Sequence, residues 1–144
     1  MSENNPSYTA SATTVGGRNG HIKTSDGIID VESRLPKELG GPGGDYTNPE
    51  MLFAAGYSSC YGSAVKLVAE KMNAGAKPED ISVTADVTLM KDPEDGGFKL
   101  AVKISLSIKG LDEDKVKDIA EKAHQVCPYS KATRGNIEVE VTTK

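Results

Sequence analysis

The chain has 144 residues, 37% hydrophobic and 26% charged, with a net charge of -4; this is the size and composition of one ordinary domain able to bury a core. The acidic balance, without any basic cluster, argues against a nucleic-acid surface. The opening MSENNPSYTA has neither the basic nor the apolar segment of a secretory signal, so the expected compartment is the cytoplasm, where two cysteines stay reduced.

In chain order, residues 1–7 read as a frayed tail. Tyr8 to Val15 is rich in Thr and Val and partly alternating, as expected of a strand. The GGRNG that follows contains Asn19-Gly20, a hairpin turn signal, with Arg18 on the turn. His21 to Thr24 is the expected return strand, Ser25-Asp26-Gly27 a second turn and Gly27 to Val31 a third strand. Residues 35–47, LPKELGGPGGDYT, hold four Gly and two Pro and predict a loop, either a flap beside a site or a plain connection. It lacks the Gly-Lys-Ser/Thr ending of a phosphate loop.

A helix is expected from Asn48 to Lys71. Asn48 suits the N-cap, Pro49 the first helical position, and Glu50 the positive end of the dipole. Met51 to Val65 carries no charge and shows small or apolar side chains on every face, the pattern of a helix surrounded by protein. The run is too short and too rich in Gly and Ser for a bilayer, which needs about 20 mostly apolar residues. One small sheet cannot cover such a helix, so dimerisation is expected. Asn73-Ala74-Gly75 supplies the stop.

Ile81 to Met90 and residues 98–108 both alternate with period 2, and the DPEDGG between them makes a hairpin. A second helix starts near Asp112, with Val116, Ile119, Ala120, Ala123 and Val126 on one face. Cys127 lies about 20° from Val116 at ~100° per residue and shares that buried side. Pro128 ends the helix, and Ile137 to Thr142 is a last strand. The order βββ-α-ββ-α-β gives an α+β fold, an antiparallel sheet carrying two long helices, in one domain over residues 1–144.

Each helix carries one cysteine. Cys60 and Cys127 are 67 residues apart, so spacing alone leaves them as small core hydrophobes or as a pair brought together by packing. Cys127, at a helix C-terminus, meets a partial negative charge that disfavours a thiolate. Cys60 sits mid-helix, where burial raises a pKa that starts at about 8.5. To react it needs a cation, and the candidates are Arg18, Arg34, Arg134 and His124. Taken alone, Arg18 reads as a solvated turn residue and Glu50 as a first-turn acid. A Cys2His2 metal set of Cys60, Cys127, His124 and His21 is a rival, although its ligands are scattered. A non-catalytic binder of a lipid-like ligand is another. No Ser-His-Asp signature or dinucleotide fingerprint is present.

GGRNG, SDG, TNPEMLFAAGYSSCYGSA and AHQVCPYSKATRGN together resemble the organic hydroperoxide resistance proteins of the OsmC-like superfamily, over nearly the whole chain. Ser59-Cys60-Tyr61 departs from the Ala-Cys-Phe common in that family and adds a hydroxyl on each side of the thiol. The resemblance implies a thiol peroxidase that reduces alkyl and fatty-acid hydroperoxides. It implies Cys60 as the peroxidatic thiolate and Cys127 as the resolving thiol, with Arg18 stabilising the thiolate and Glu50 pairing to Arg18. It further implies an intertwined homodimer with sites at the subunit interface, no cofactor, and reduction by dihydrolipoyl groups on a lipoylated protein. Leu52, Phe53 and Tyr57 are then expected to wall an apolar pocket.

Overall fold

The computed structural model describes residues 5–144; the first four residues of the expected tail lie outside the described part. The chain divides into two compact units, one ending at Pro49 and the other running from Glu50 to Lys144.

In the first unit β1 (Ala12–Val15), β2 (Gly20–Thr24) and β3 (Asp30–Ser33) form the expected antiparallel meander. The first connection lies where Asn19-Gly20 places it, but other residues make the turn. Gly16 (φ 91°) and Gly17 (φ 61°) take the left-handed conformations, and Gly17–Asn19 is a short 3-10 turn holding Arg18. Asn19 instead accepts the Leu35 N–H through its side chain at 3.0 Å. Gly20 is extended, and a Cβ there would stand 1.9 Å from the Val15 carbonyl oxygen. β3 starts later than the expected Gly27 because side chains prolong the turn. Asp26 accepts from the Ile28 N–H at 3.0 Å and from the Thr24 hydroxyl at 2.7 Å, while Thr24 accepts from the Ile29 N–H at 3.0 Å. Residues 35–47 are irregular apart from a 3-10 turn at Lys37–Leu39, and Thr47 bridges Ser33.

In the second unit α1 (Pro49–Lys71) occupies the span read from its caps. Its end is a Schellman motif: Ala74 N–H reaches the Ala69 carbonyl at 3.0 Å and Asn73 N–H the Glu70 carbonyl at 3.1 Å. Asn73 itself takes the left-handed position, φ 52°. β4 (Ile81–Lys91) and β5 (Phe98–Ile108) pair antiparallel along their full length, Ile81 opposite Ile108. α2 (Glu113–Val126) begins at Asp112, whose side chain accepts the Lys115 N–H at 2.8 Å. A short α3 (Pro128–Thr133) follows at once, then β6 (Val139–Thr143).

The α+β class and the element order agree with the sequence reading, with two corrections. The strands form two three-stranded sheets, β1-β2-β3 and β4-β5-β6, and β6 runs parallel to β5. The second follows from connection length, because α2 and α3 carry the chain back over the sheet before β6, as a parallel crossover requires.

The core of this unit is a three-way contact. Tyr57, Tyr61, Ala64, Val65, Val68 and Ala69 of α1 meet Val102, Ile104, Leu106 and Ile108 of β5 and Val116, Ile119, Ala120 and Ala123 of α2. Among the described residues the opposite stripe of α1, Met51, Ala55, Ser59, Ser63 and Leu67, spaced four apart, is exposed. Ile104, at the centre of β5, is fully buried. Ile104→Ala is expected to lower unfolding stability by about 2–5 kcal/mol, read by urea titration; a loss well under 1 kcal/mol would contradict this packing.

Candidate active site around two thiols

Pro128 cannot extend α2 but is well suited to open another helix, since its missing N–H is not needed there. Cys127 therefore becomes a joint. Its N–H closes α2 on the Ala123 carbonyl at 2.8 Å, and its own carbonyl accepts the Lys131 N–H at 3.0 Å to start α3. The residue between is non-helical (φ -62°, ψ 123°) and fully buried. Cys60 is half-buried on α1. Packing brings the sulfurs to 3.5 Å, with the Cys127 thiol donating to Cys60, and both are free thiols.

Burial pushes the Cys60 thiol up in pKa, the Tyr129 backbone N–H hydrogen-bonded to it pulls it back, and the neighbouring Cys127 pushes it up again. The Tyr129 N–H is a donor that the sequence reading did not single out. Its signal was Pro128, because a helix starting there leaves its first N–H groups without partners in the helix. The same joint revises the electrostatics of Cys127. It ends α2 and also stands at the N-terminus of α3, so the unfavourable dipole end is opposed by a favourable one.

Three aromatic rings cluster where α1 meets α3. Phe53 lies 6.2 Å from Tyr57 and 6.4 Å from Tyr129, and Tyr57 lies 5.7 Å from Tyr129, between ring centroids. Of the residues expected to wall a pocket, Leu52 and Phe53 are half-buried and Tyr57 is fully buried; Tyr129 joins their ring cluster from α3. Behind the rings, the Tyr57 hydroxyl meets Ser130 Oγ at 2.9 Å and Thr133 Oγ1 at 3.1 Å. Ser130 Oγ also meets His124 Nδ1 at 2.8 Å. The Tyr61 hydroxyl does not add polarity to a pocket, because it is buried and donates to the Ala120 carbonyl at 2.7 Å.

The candidate cations are distributed as follows. Arg34 is engaged within the first unit: it donates to the carbonyls of Gly20 at 3.1 Å and Ser33 at 2.6 Å, pairs with Glu32 at 2.8 Å, and lies over the Tyr46 ring. Arg134 donates to the His124 carbonyl at 2.7 Å. Burial first, then the nearby Arg134 charge, holds His124 below its ordinary pKa, which keeps it neutral. Arg18 is half-buried on its turn in the first unit, and Glu50 is half-buried in the first turn of α1. Both engage other groups.

His124 faces Ser130 while His21 faces Glu32 and Asp30. Among the described residues no group of three or more His, Cys, Asp or Glu is placed to hold a metal. Among them, too, no helix is long and apolar enough to cross a membrane.

The Tyr129 ring comes so close to α1 that a Cβ on Gly56 would stand 2.8 Å from its hydroxyl oxygen. Gly56→Val should therefore lose about 1–2 kcal/mol by urea titration, overpacking outweighing the better helix propensity of valine. Unchanged or higher stability would show that the ring is not packed there.

The OsmC-like protein family matches residues 41–142. The organic hydroperoxide resistance protein of Xanthomonas axonopodis pv. citri is 46% identical over 135 residues, covering 94% of this chain and 93% of that one. The crystal structure of an organic hydroperoxide resistance protein from Legionella pneumophila superposes with a TM-score of 0.90 at 44% identity, over 97% of this chain and 99% of the other. One from Elizabethkingia anophelis does so with a TM-score of 0.88 at 50% identity, over 95% and 96%. With the fold, the paired cysteines and these likenesses together, the chain belongs to the organic hydroperoxide resistance proteins of the OsmC-like family.

Proposed function

We propose that this protein is a cofactor-free thiol peroxidase that reduces alkyl and fatty-acid hydroperoxides to alcohols and so defends the cell against organic peroxide stress. The observation that carries this reading is the pair of free thiols 3.5 Å apart, in a chain whose relatives are named for organic hydroperoxide resistance.

The Cys60 thiolate attacks the O–O bond; one oxygen stays on sulfur as a sulfenic acid, and the other leaves as the alcohol after taking a proton. Cys127 then condenses with the sulfenic acid, releasing water and forming a disulfide before over-oxidation to sulfinic acid. A dihydrolipoyl dithiol on a lipoylated protein reopens the bridge by exchange, itself becoming the cyclic disulfide. The Phe53, Tyr57 and Tyr129 rings support a preference for substrates with an apolar tail, which gain from leaving water.

Burial raises the Cys60 pKa, so the thiolate needs a positive charge. Arg18 is the residue assigned to supply it, with Glu50 orienting Arg18. A homodimer with the site at the subunit interface accounts for the exposed stripe of α1, on which Ala55, Ser59 and Ser63 are joined by Leu67, 42% exposed. A reducing cytoplasm suits a thiol enzyme of this kind.

The test is hydroperoxide consumption with dihydrolipoamide as reductant. Cys60→Ser is expected to abolish turnover, and retained turnover would refute the assignment. Cys127→Ser should react once and stall with Cys60 oxidised; sustained full-rate turnover would remove the resolving role. Arg18→Ala should raise the Cys60 pKa, read from the thiolate absorbance against pH, and slow the neutral-pH reaction about ten-fold per pKa unit. An unchanged titration would remove Arg18 from thiolate stabilisation.

A further inference from the structure

Beside the sulfur pair runs a second link between the same two elements. Tyr57 lies three residues before Cys60 on α1, and Ser130 three residues after Cys127 on α3. One helical turn from each sulfur, the Tyr57 hydroxyl and Ser130 Oγ meet at 2.9 Å, and both residues are fully buried. His124 of α2 joins the chain at Ser130 Oγ, 2.8 Å away. We propose that the Tyr57–Ser130–His124 chain is a positioning latch that holds the joint carrying Cys127 against the helix carrying Cys60, and so sets how readily the two thiols close to a disulfide.

The geometry supports this in two ways. Closing the bridge takes the sulfurs from 3.5 Å to about 2.05 Å, a movement small enough for a link one turn away to survive it. The latch therefore orders the joint in the dithiol and survives closure; without it the S–S bond still orders the joint in the disulfide, whereas in the dithiol the short α3 has fewer ties to α1 and the sulfurs meet less often.

Proton accounting adds the second support. Thr133 donates its hydroxyl proton to the Ser130 carbonyl at 3.2 Å, so the remaining hydroxyls must order themselves. Tyr57 donates to Thr133 while Ser130 donates to Tyr57 and His124 Nδ1–H to Ser130, or Tyr57 donates to Ser130 and Ser130 to an unprotonated Nδ1. A neutral imidazole satisfies either order, because one ring nitrogen donates and the other accepts. All three positions are therefore filled without leaving a buried hydroxyl unpaired.

The latch rests on the reading of Cys60 and Cys127 as a redox pair, but not on hydroperoxide as the oxidant. The test is a redox titration of the full chain in mixtures of reduced and oxidised dithiothreitol. In it the protein dithiol gives two electrons and two protons to the cyclic disulfide, and the Cys60–Cys127 bridge forms as that ring opens. Tyr57→Phe and Ser130→Ala are expected to lower the equilibrium constant for the bridge about ten-fold, because the unlatched joint regains in the dithiol the freedom of about one backbone residue, which the S–S bond denies it in the disulfide. His124→Ala should shift it the same way. His124→Asn, whose amide reaches the Nδ1 position, should restore it.

Tyr61→Phe is the control, because it deletes an equally buried hydrogen bond, from α1 to the Ala120 carbonyl of α2, that does not reach α3. It should lower thermal stability and leave the constant within about two-fold of the wild type. Constants equal to wild type in Tyr57→Phe and Ser130→Ala, or an equal shift in Tyr61→Phe, would overturn the latch. Should Ser130→Ala fail to fold, Tyr57→Phe with the His124 pair carries the test. A wild type that titrates normally but consumes no hydroperoxide would refute the peroxidase reading and leave the latch standing.

Discussion

The chemistry of this chain depends on one backbone constraint, the break at Pro128. A proline cannot continue α2, and it pre-forms the first turn of a new helix. The residue before it is thereby held extended, and that residue is Cys127. A continuous helix would not put this thiol at a joint or aim a fresh set of N–H groups at α1. With the break, Cys127 lies 3.5 Å from Cys60 and the Tyr129 N–H bonds the Cys60 sulfur. One proline thus supplies both the neighbouring thiol and a donor to the sulfur.

That arrangement leaves an electrostatic tension. Burial favours the neutral thiol, and a single amide donor offsets only part of this. The second thiol adds to the same side, because two adjacent sulfurs resist sharing negative charge. Within the second unit these groups therefore favour the neutral Cys60 thiol. The proposed contribution of Arg18 follows from this tension, since a guanidinium is a fixed charge at any relevant pH. The uncovered stripe of Met51, Ala55, Ser59, Ser63 and Leu67 makes a similar point about packing. The sequence of α1 is written for burial on all sides, while among the described residues this stripe stays exposed.

Local signals in the sequence were legible where one residue type decides the outcome. Asp112 caps α2 as read, Phe98–Ile108 is a strand over the stated range, and Asn73 stops α1. The misreadings have physical causes. Gly16 and Gly17 outcompete Asn19-Gly20 for the left-handed positions because Asn19 is drawn to the Leu35 N–H. Asp26 and Thr24 stretch the second turn by side-chain hydrogen bonds that no alternation pattern encodes. The parallel placement of β6 is a consequence of the crossover, which a strand's own sequence does not record.

Of the site, the two cysteines were visible as residues but their contact was not, because 67 intervening residues carry no spacing rule. Tyr129 and Ser130 are hidden in the sequence because Pro128 signals the stop of α2, while its second role, opening α3, shows only in the fold. The account stands or falls on whether these two sulfurs do chemistry with each other. The direct measurement is intact mass and peptide mapping of the reduced protein after one equivalent of an organic hydroperoxide. The account predicts loss of two hydrogens, a Cys60–Cys127 cross-link and one equivalent of alcohol; an unchanged mass with the hydroperoxide intact would contradict it.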